Sequence, residues 1–259
     1  MTLPDSPLPP AENHPTTDEA SMPLVEHLIE LRKRLLLCLS VVMVIFFSLL
    51  TFSNTLYAFV AKPIRDQLPP GTTMIATDIT STFLAPFKLT FVLAIFLAIP
   101  VILHQLWKFI APGLYAKERR LVLPLLISSV ILFYMGVAFA YFITFPLIMT
   151  FFATTTPIGV QLTPDIQKYL DIALKLFFAF GAAFEIPVAT VLCVWSGLTT
   201  VAALKEKRPY MIVGFFIIGM LLTPPDALSQ ILLSVPMCLL FEAGILFSQW
   251  FISRSKKIP

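Results

Sequence analysis

LVLPLLISSVILFYMGVAFAYFITFPLIMTF, residues 121–151, holds no charged side chain. A helix needs about 20 mostly apolar residues to cross a hydrocarbon core about 30 Å thick, so this run is long enough to span a membrane with length to spare. The threonines 154–156, Pro157 and Gly159 then end it.

Similar runs lie on both sides. Counting outward from residues 121–151 as span 3, the sequence predicts span 1 at about 35–52, span 2 at 87–107, span 4 at 169–195, span 5 at 209–222 and span 6 at 227–251. A polar-to-mixed loop with Pro63, Pro69, Pro70 and Gly71 separates spans 1 and 2. Spans 5 and 6 are joined only by a Thr223-Pro224-Pro225-Asp226 turn and form a short hairpin. Span 5 reaches only about 21 Å at 1.5 Å per residue, less than the hydrocarbon thickness, unless its helix continues beyond the prolines. The fold class is an all-α membrane protein of six helices.

Composition across all 259 residues agrees. Hydrophobic residues make up 58% and charged residues 13%, against roughly 25% charged in a soluble domain; mean hydropathy is +0.88. A soluble chain of this size cannot cover so much apolar surface. The net charge of +3 is mild, and the basic residues sit in short clusters at the edges of apolar runs, which argues against nucleic acid as a partner. Cys38, Cys193 and Cys238 lie in apolar segments and read as buried thiols rather than a disulfide framework. Residues 1–21 are acidic and Pro-rich, without the basic start and apolar core of a signal peptide, and read as a disordered tail. Residues 22–252 form the membrane domain and 253–259 a basic cytoplasmic tail.

Lysine and arginine set the orientation. With the N-terminus inside, 13 of the 18 basic residues fall on the inner side and five (Lys62, Arg65, Lys88, Lys168, Lys175) on the outer. Six spans then leave both termini in the cytoplasm. Pro100, Pro124, Pro146, Pro187 and Pro236 fall within spans, where each removes a backbone donor and tends to kink its helix.

The scarce polar groups carry the functional reading. Glu185 lies mid-span, where a carboxylate costs roughly 2.5–3.5 kcal/mol on insertion scales. It is either a polar contact for another transmembrane helix or a water-filled dent, or a neutral acid satisfied by the backbone carbonyl that Pro187 frees. Glu242 in span 6 has the same two readings. Lys175 and Asp171, at i,i+4 spacing, are expected to pair. Leu24, Leu28, Leu31 and Leu35 form one face of an amphipathic helix running into span 1, with Glu26, Glu30, Lys33 and Arg34 toward the other side. Glu30 is either a pair for Arg34 at i,i+4 or an anchor for a cationic ligand. Glu118 is either a solvated loop charge or a second anchor. The inner face has only Glu26, Glu30, Glu118 and Glu206 as acids near the membrane, and a pair of arginines needs two separate carboxylates. Asp226 reads as the N-cap of span 6. His27 and His104 are too isolated to suggest a metal site.

No nucleophile elbow, zincin motif, phosphate-binding loop or Cys-x-x-Cys occurs, so the chain does not read as an enzyme and no cofactor is implied. A small-solute transporter with a midplane site at Glu185 or Glu242 stays open at this point.

Six segments in order carry a resemblance: HLIELRKRL (27–35), QLPPGTTMIATDI (67–79), WKFIAPGLYAKERR (107–120), FAFGAAFEIPVA (178–189), KRPY (207–210) and GMLLTPPDALSQ (219–230). Together they resemble the TatC family, the polytopic subunit of the twin-arginine protein translocase, over about residues 22–251. The resemblance implies a rigid, cupped set of six helices in the bacterial inner membrane. It also implies that folded cargo is received through signal peptides bearing paired arginines, and that transport is driven by the proton-motive force. The family's signal-binding acids fall on Glu30 and Glu118, with Arg32, Phe109, Arg119 and Arg120 in the same cytoplasmic patch. Pro63, Pro100, Glu185 and Asp226 are further positions of family importance. The implied partners are single-span TatA and TatB proteins, TatB near span 5, in an oligomeric complex in membrane lipid. Lys175 matches no family position.

Overall fold

Long apolar runs form helices because, in lipid, every backbone N–H and C=O must be satisfied within the segment. The computed structural model describes residues 17–65, 73–110, 122–157, 163–222 and 227–255, and these are helical almost throughout. In chain order the helices are α1 (Thr17–Leu49), α2 (Ser53–Val60), α3 (Lys62–Arg65), α4 (Ser81–Ile110), α5 (Val122–Phe139), α6 (Phe145–Thr154), α7 (Ile166–Ala183), α8 (Ile186–Trp195), α9 (Val201–Glu206), α10 (Arg208–Leu222) and α11 (Ala227–Ser255). Among the described residues five continuous stretches are long and apolar enough to cross a membrane: Leu28–Val60, Ser81–Phe109, Leu123–Thr154, Ile166–Trp195 and Ala227–Trp250. A sixth apolar helix, Arg208–Leu222, is shorter.

Two expectations change, and the continuity of the amphipathic stretch with span 1 holds. The first span does not end near residue 52: a 3-10 turn at Leu50–Phe52 leads directly into α2, and α3 follows, so much of the expected loop is helical. The amphipathic stretch and the first span are one helix of 33 residues. Shortness belongs to span 5 alone, because α11 runs for 29 residues against 15 in α10.

Proline acts differently at each site. α4 continues through both Pro86 and Pro100, and α11 continues through Pro236. Ahead of Pro146 the helix slips into a π turn over Ala140–Thr144, where the Phe145 N–H donates to the Ala140 carbonyl five residues back. At Pro187 the fourth span breaks into α7 and α8, and Glu185 sits in the break.

Core packing brings α1 against α4, α5 against α7, α8 against α11 and α10 against α11. Phe145, Phe180, Leu89, Ile148, Leu170 and Leu176 are among the largest fully buried side chains. Close helix contact rests on glycines: a Cβ on Gly136 would lie 2.4 Å from the Phe180 carbonyl oxygen. Leu35, Val44, Phe47, Leu123, Phe142 and Leu239 are exposed, as a surface meeting lipid tails allows.

Candidate functional site

Midway along α1, toward the side that the charge count places inside, Glu30 and Arg34 lie one turn apart and pair. Both Nε and Nη2 of Arg34 donate to Glu30 Oε1, the Nε contact at 3.1 Å. Arg34 Nη1 donates across to Gln105 Oε1 on α4, also at 3.1 Å. The Arg34 side chain is 20% exposed and that of Glu30 39%, so the cation is the more enclosed partner and the carboxylate faces outward. Sequence reading missed Gln105, because an amide in an apolar run has no pattern of its own.

Arg32, two positions from Glu30, is exposed and leaves α1 on a different side, since i,i+2 residues do not share a face. Phe109 is half-buried near the end of α4. Glu118, Arg119, Arg120 and Asp226 lie outside the described residues.

Pro63 is the second residue of α3 and Pro100 lies inside α4. Neither has an N–H, so the carbonyls four residues earlier, Phe59 and Phe96, lose their ordinary helical donor. Two tyrosines take those carbonyls: the Tyr141 hydroxyl donates to Phe59 O at 3.0 Å and the Tyr134 hydroxyl to Phe96 O at 3.0 Å. Each proline is thereby joined to the third span.

Among the described residues Glu185 Oε1 is buried with no hydrogen-bond partner, so that oxygen is not satisfied by the backbone of the preceding turn, one of the two readings of this acid. Glu242 pairs with Arg208 at 2.7 Å, joining α11 to the start of α10. The expected Asp171–Lys175 pair does not form. Asp171 pairs with Lys88 on α4 at 2.6 Å instead, while Lys175 is exposed; a neighbouring helix offers a cation where the same helix was expected to.

At the opposite end, Asp165 is the residue that sequence reading passed over. Its Oδ1 accepts from the N–H groups of Gln167 and Lys168 and caps α7; its Oδ2 accepts from the Thr77 N–H and hydroxyl at 3.0 and 2.6 Å. The Ile75 N–H donates to Pro164 O and the Ile166 N–H to Ile75 O. The Thr77 hydroxyl, together with the three backbone donors, holds the Asp165 carboxyl well below the usual carboxylate range. Thr-Pro-Asp before an apolar run is an N-cap signature, but nothing in the sequence points to Thr77.

Among the described residues no three His, Cys, Asp or Glu side chains gather as a metal site, and all three cysteines are free. Residues 26–236 match the family described as Sec-independent protein translocase protein (TatC). The chain belongs to the TatC family. Relatives of that description include one from Azotobacter chroococcum mcd 1, 58% identical over 233 residues (90% of this chain, 91% of the relative). Another, from Escherichia coli strain K12, is 55% identical over 238 residues, 92% of each chain. A crystal structure described as the twin arginine translocase receptor TatC superposes with a TM-score of 0.77 at 34% identity, covering 86% of this chain and 98% of that one. TatC membership makes this multi-pass chain a component of a protein translocase and sets aside the small-solute carrier.

Proposed function

We propose that this TatC-family protein is the signal-peptide receptor and core subunit of the twin-arginine translocase in the bacterial inner membrane, with both termini in the cytoplasm. The observation that carries the reading is Glu30, a half-exposed carboxylate midway along α1, toward its cytoplasmic side, on a face otherwise rich in cations. The two arginines of a cargo signal dock on Glu30 and Glu118, each guanidinium taking a carboxylate in a charge-assisted hydrogen bond. Phe109, Arg119 and Arg120 line the surrounding patch, and Arg32 adds positive charge on the adjoining side of α1. The apolar part of the signal then inserts along the helices. Glu185 offers a buried polar contact to a TatA- or TatB-type helix. Asp226 caps span 6, Pro63 and Pro100 fix the scaffold, and the proton-motive force drives transport of folded cargo without a catalytic site in this chain.

The test is pull-down of the detergent-solubilised protein with a paired-Arg signal peptide and its Lys-Lys version. The wild type retains the Arg-Arg peptide preferentially, and charge reversal at Glu118 abolishes that retention while membrane insertion stays intact. Retention that survives reversal of both Glu30 and Glu118 overturns the assignment. For Glu185, replacement by Ala lowers site-specific crosslinking to the partner helix; unchanged crosslinking with unchanged export removes that role.

A further inference from the structure

An i,i+4 Glu–Arg pair on an exposed helix contributes a few tenths of a kcal/mol and fixes little, because both side chains are long. The Glu30–Arg34 pair is constrained more tightly. Two nitrogens of one guanidinium converge on a single oxygen, Oε1, and the third is held by an amide on another helix. The cation therefore has anchors on α1 and α4. No hydrogen bond from a described residue engages Glu30 Oε2, and the Glu30 side chain as a whole is 39% exposed.

We propose that Arg34 and Gln105 are positioning residues for signal recognition: they hold Glu30 in one orientation with Oε2 presented to an incoming guanidinium, and they tie that orientation to α4. This rests on the docking role proposed above for Glu30. Orientation matters more for arginine than for lysine. A guanidinium donates through a rigid planar fork, whereas an ammonium is a compact charge with rotating donors. A loosened Glu30 still attracts both cations but no longer favours the fork. The device therefore governs discrimination between arginine and lysine more than overall attraction.

Gln105 is the cleanest place to test this, because it is neutral and its replacement leaves the charge of the patch unchanged. Binding of Arg-Arg and Lys-Lys signal peptides is measured on the purified protein in detergent, alongside its thermal unfolding. Gln105→Leu lowers the Arg-Arg over Lys-Lys preference about fivefold, within the range of a typical net hydrogen bond, with Lys-Lys binding unchanged. Gln105→Glu keeps an acceptor for Arg34 and retains the preference. Arg34→Lys keeps the charge but loses the fork and behaves like Gln105→Leu. A merely structural role for Gln105 lowers the unfolding temperature and both affinities together. The inference is overturned if Gln105→Leu and Arg34→Lys keep the full preference. It is also overturned if Arg34→Lys binds the Arg-Arg peptide more tightly, which would make Arg34 a stand-in that cargo must displace. Glu30→Gln separates the two claims: if it leaves the preference intact, the docking role of Glu30 itself fails, whatever Gln105 does.

Discussion

Tyr134 and Pro100 show how a single side chain becomes necessary through the residue it answers. A proline at 100 leaves the Phe96 carbonyl without a helical donor, and the Tyr134 hydroxyl supplies one. Tyr134→Phe should destabilise the protein by about 1–3 kcal/mol in thermal unfolding, because a buried acceptor is left unpaired. In a Pro100→Ala background residue 100 regains its N–H, so the same Tyr134→Phe change should be nearly silent; equal losses in both backgrounds would disprove the pairing. Asp165 makes a different prediction. Its folded pKa lies below the ordinary aspartate value, so its contribution is fully present above that ordinary value and lost as pH falls through the depressed one. Wild type should lose stability below about pH 4, as a cap carboxylate becomes protonated. Asp165→Asn should be less stable at neutral pH, by about 1 kcal/mol for a weakened cap, and flatter over the acid range. An unchanged acid limb in Asp165→Asn would show that other carboxylates set it. The N-cap at Asp165 was legible as a pattern; its second grip on Thr77, 88 positions away, was not, because no local signal encodes a partner that distant.

Among the elements, the pair α8 and α11 depends on a glycine. A Cβ at Gly244 would lie 2.0 Å from Thr190 Oγ1 and 3.0 Å from Pro187 Cα. Gly244→Ala should therefore push α11 off α8 and cost about 1–3 kcal/mol, the usual range for overpacking. Adding Thr190→Ala should recover only part of the loss in thermal unfolding, since the Pro187 backbone stays close. Full recovery would mean that the hydroxyl alone sets the contact. The uneven hairpin is also settled here. Glu242 lies about 22 Å along α11 from Ala227 at 1.5 Å per residue, and the antiparallel α10 begins at that level with Arg208, its ion-pair partner. The helix lengths could be read from charge-free runs and prolines, but the pairing could not: Glu242 read alone is a lone mid-span acid, and Asp171 read alone points to Lys175 rather than Lys88. Each acid's partner is set by which helix packs beside it.

At the scale of the whole molecule, the proposed orientation rests on 13 basic residues against five. With Cys38, Cys193 and Cys238 replaced by Ser, a cysteine introduced at Ser255 should react with a membrane-impermeant thiol reagent only after the inner face is opened, and one introduced at Thr155 should react from outside in intact cells. The reverse pattern would invert the topology and move Glu30 away from incoming cargo. The sequence by itself determined that the chain spans a membrane, where most of its helices lie and that span 5 is short. These are local properties, since insertion depends on runs of apolar residues and on the charges that bound them. Only the tertiary structure decided that Gln105 holds Arg34, that tyrosines of the third span answer Pro63 and Pro100, and that Asp165 joins two loops. Such contacts arise when distant segments pack side by side, and hydrogen-bond geometry between packed helices leaves no periodicity in the chain.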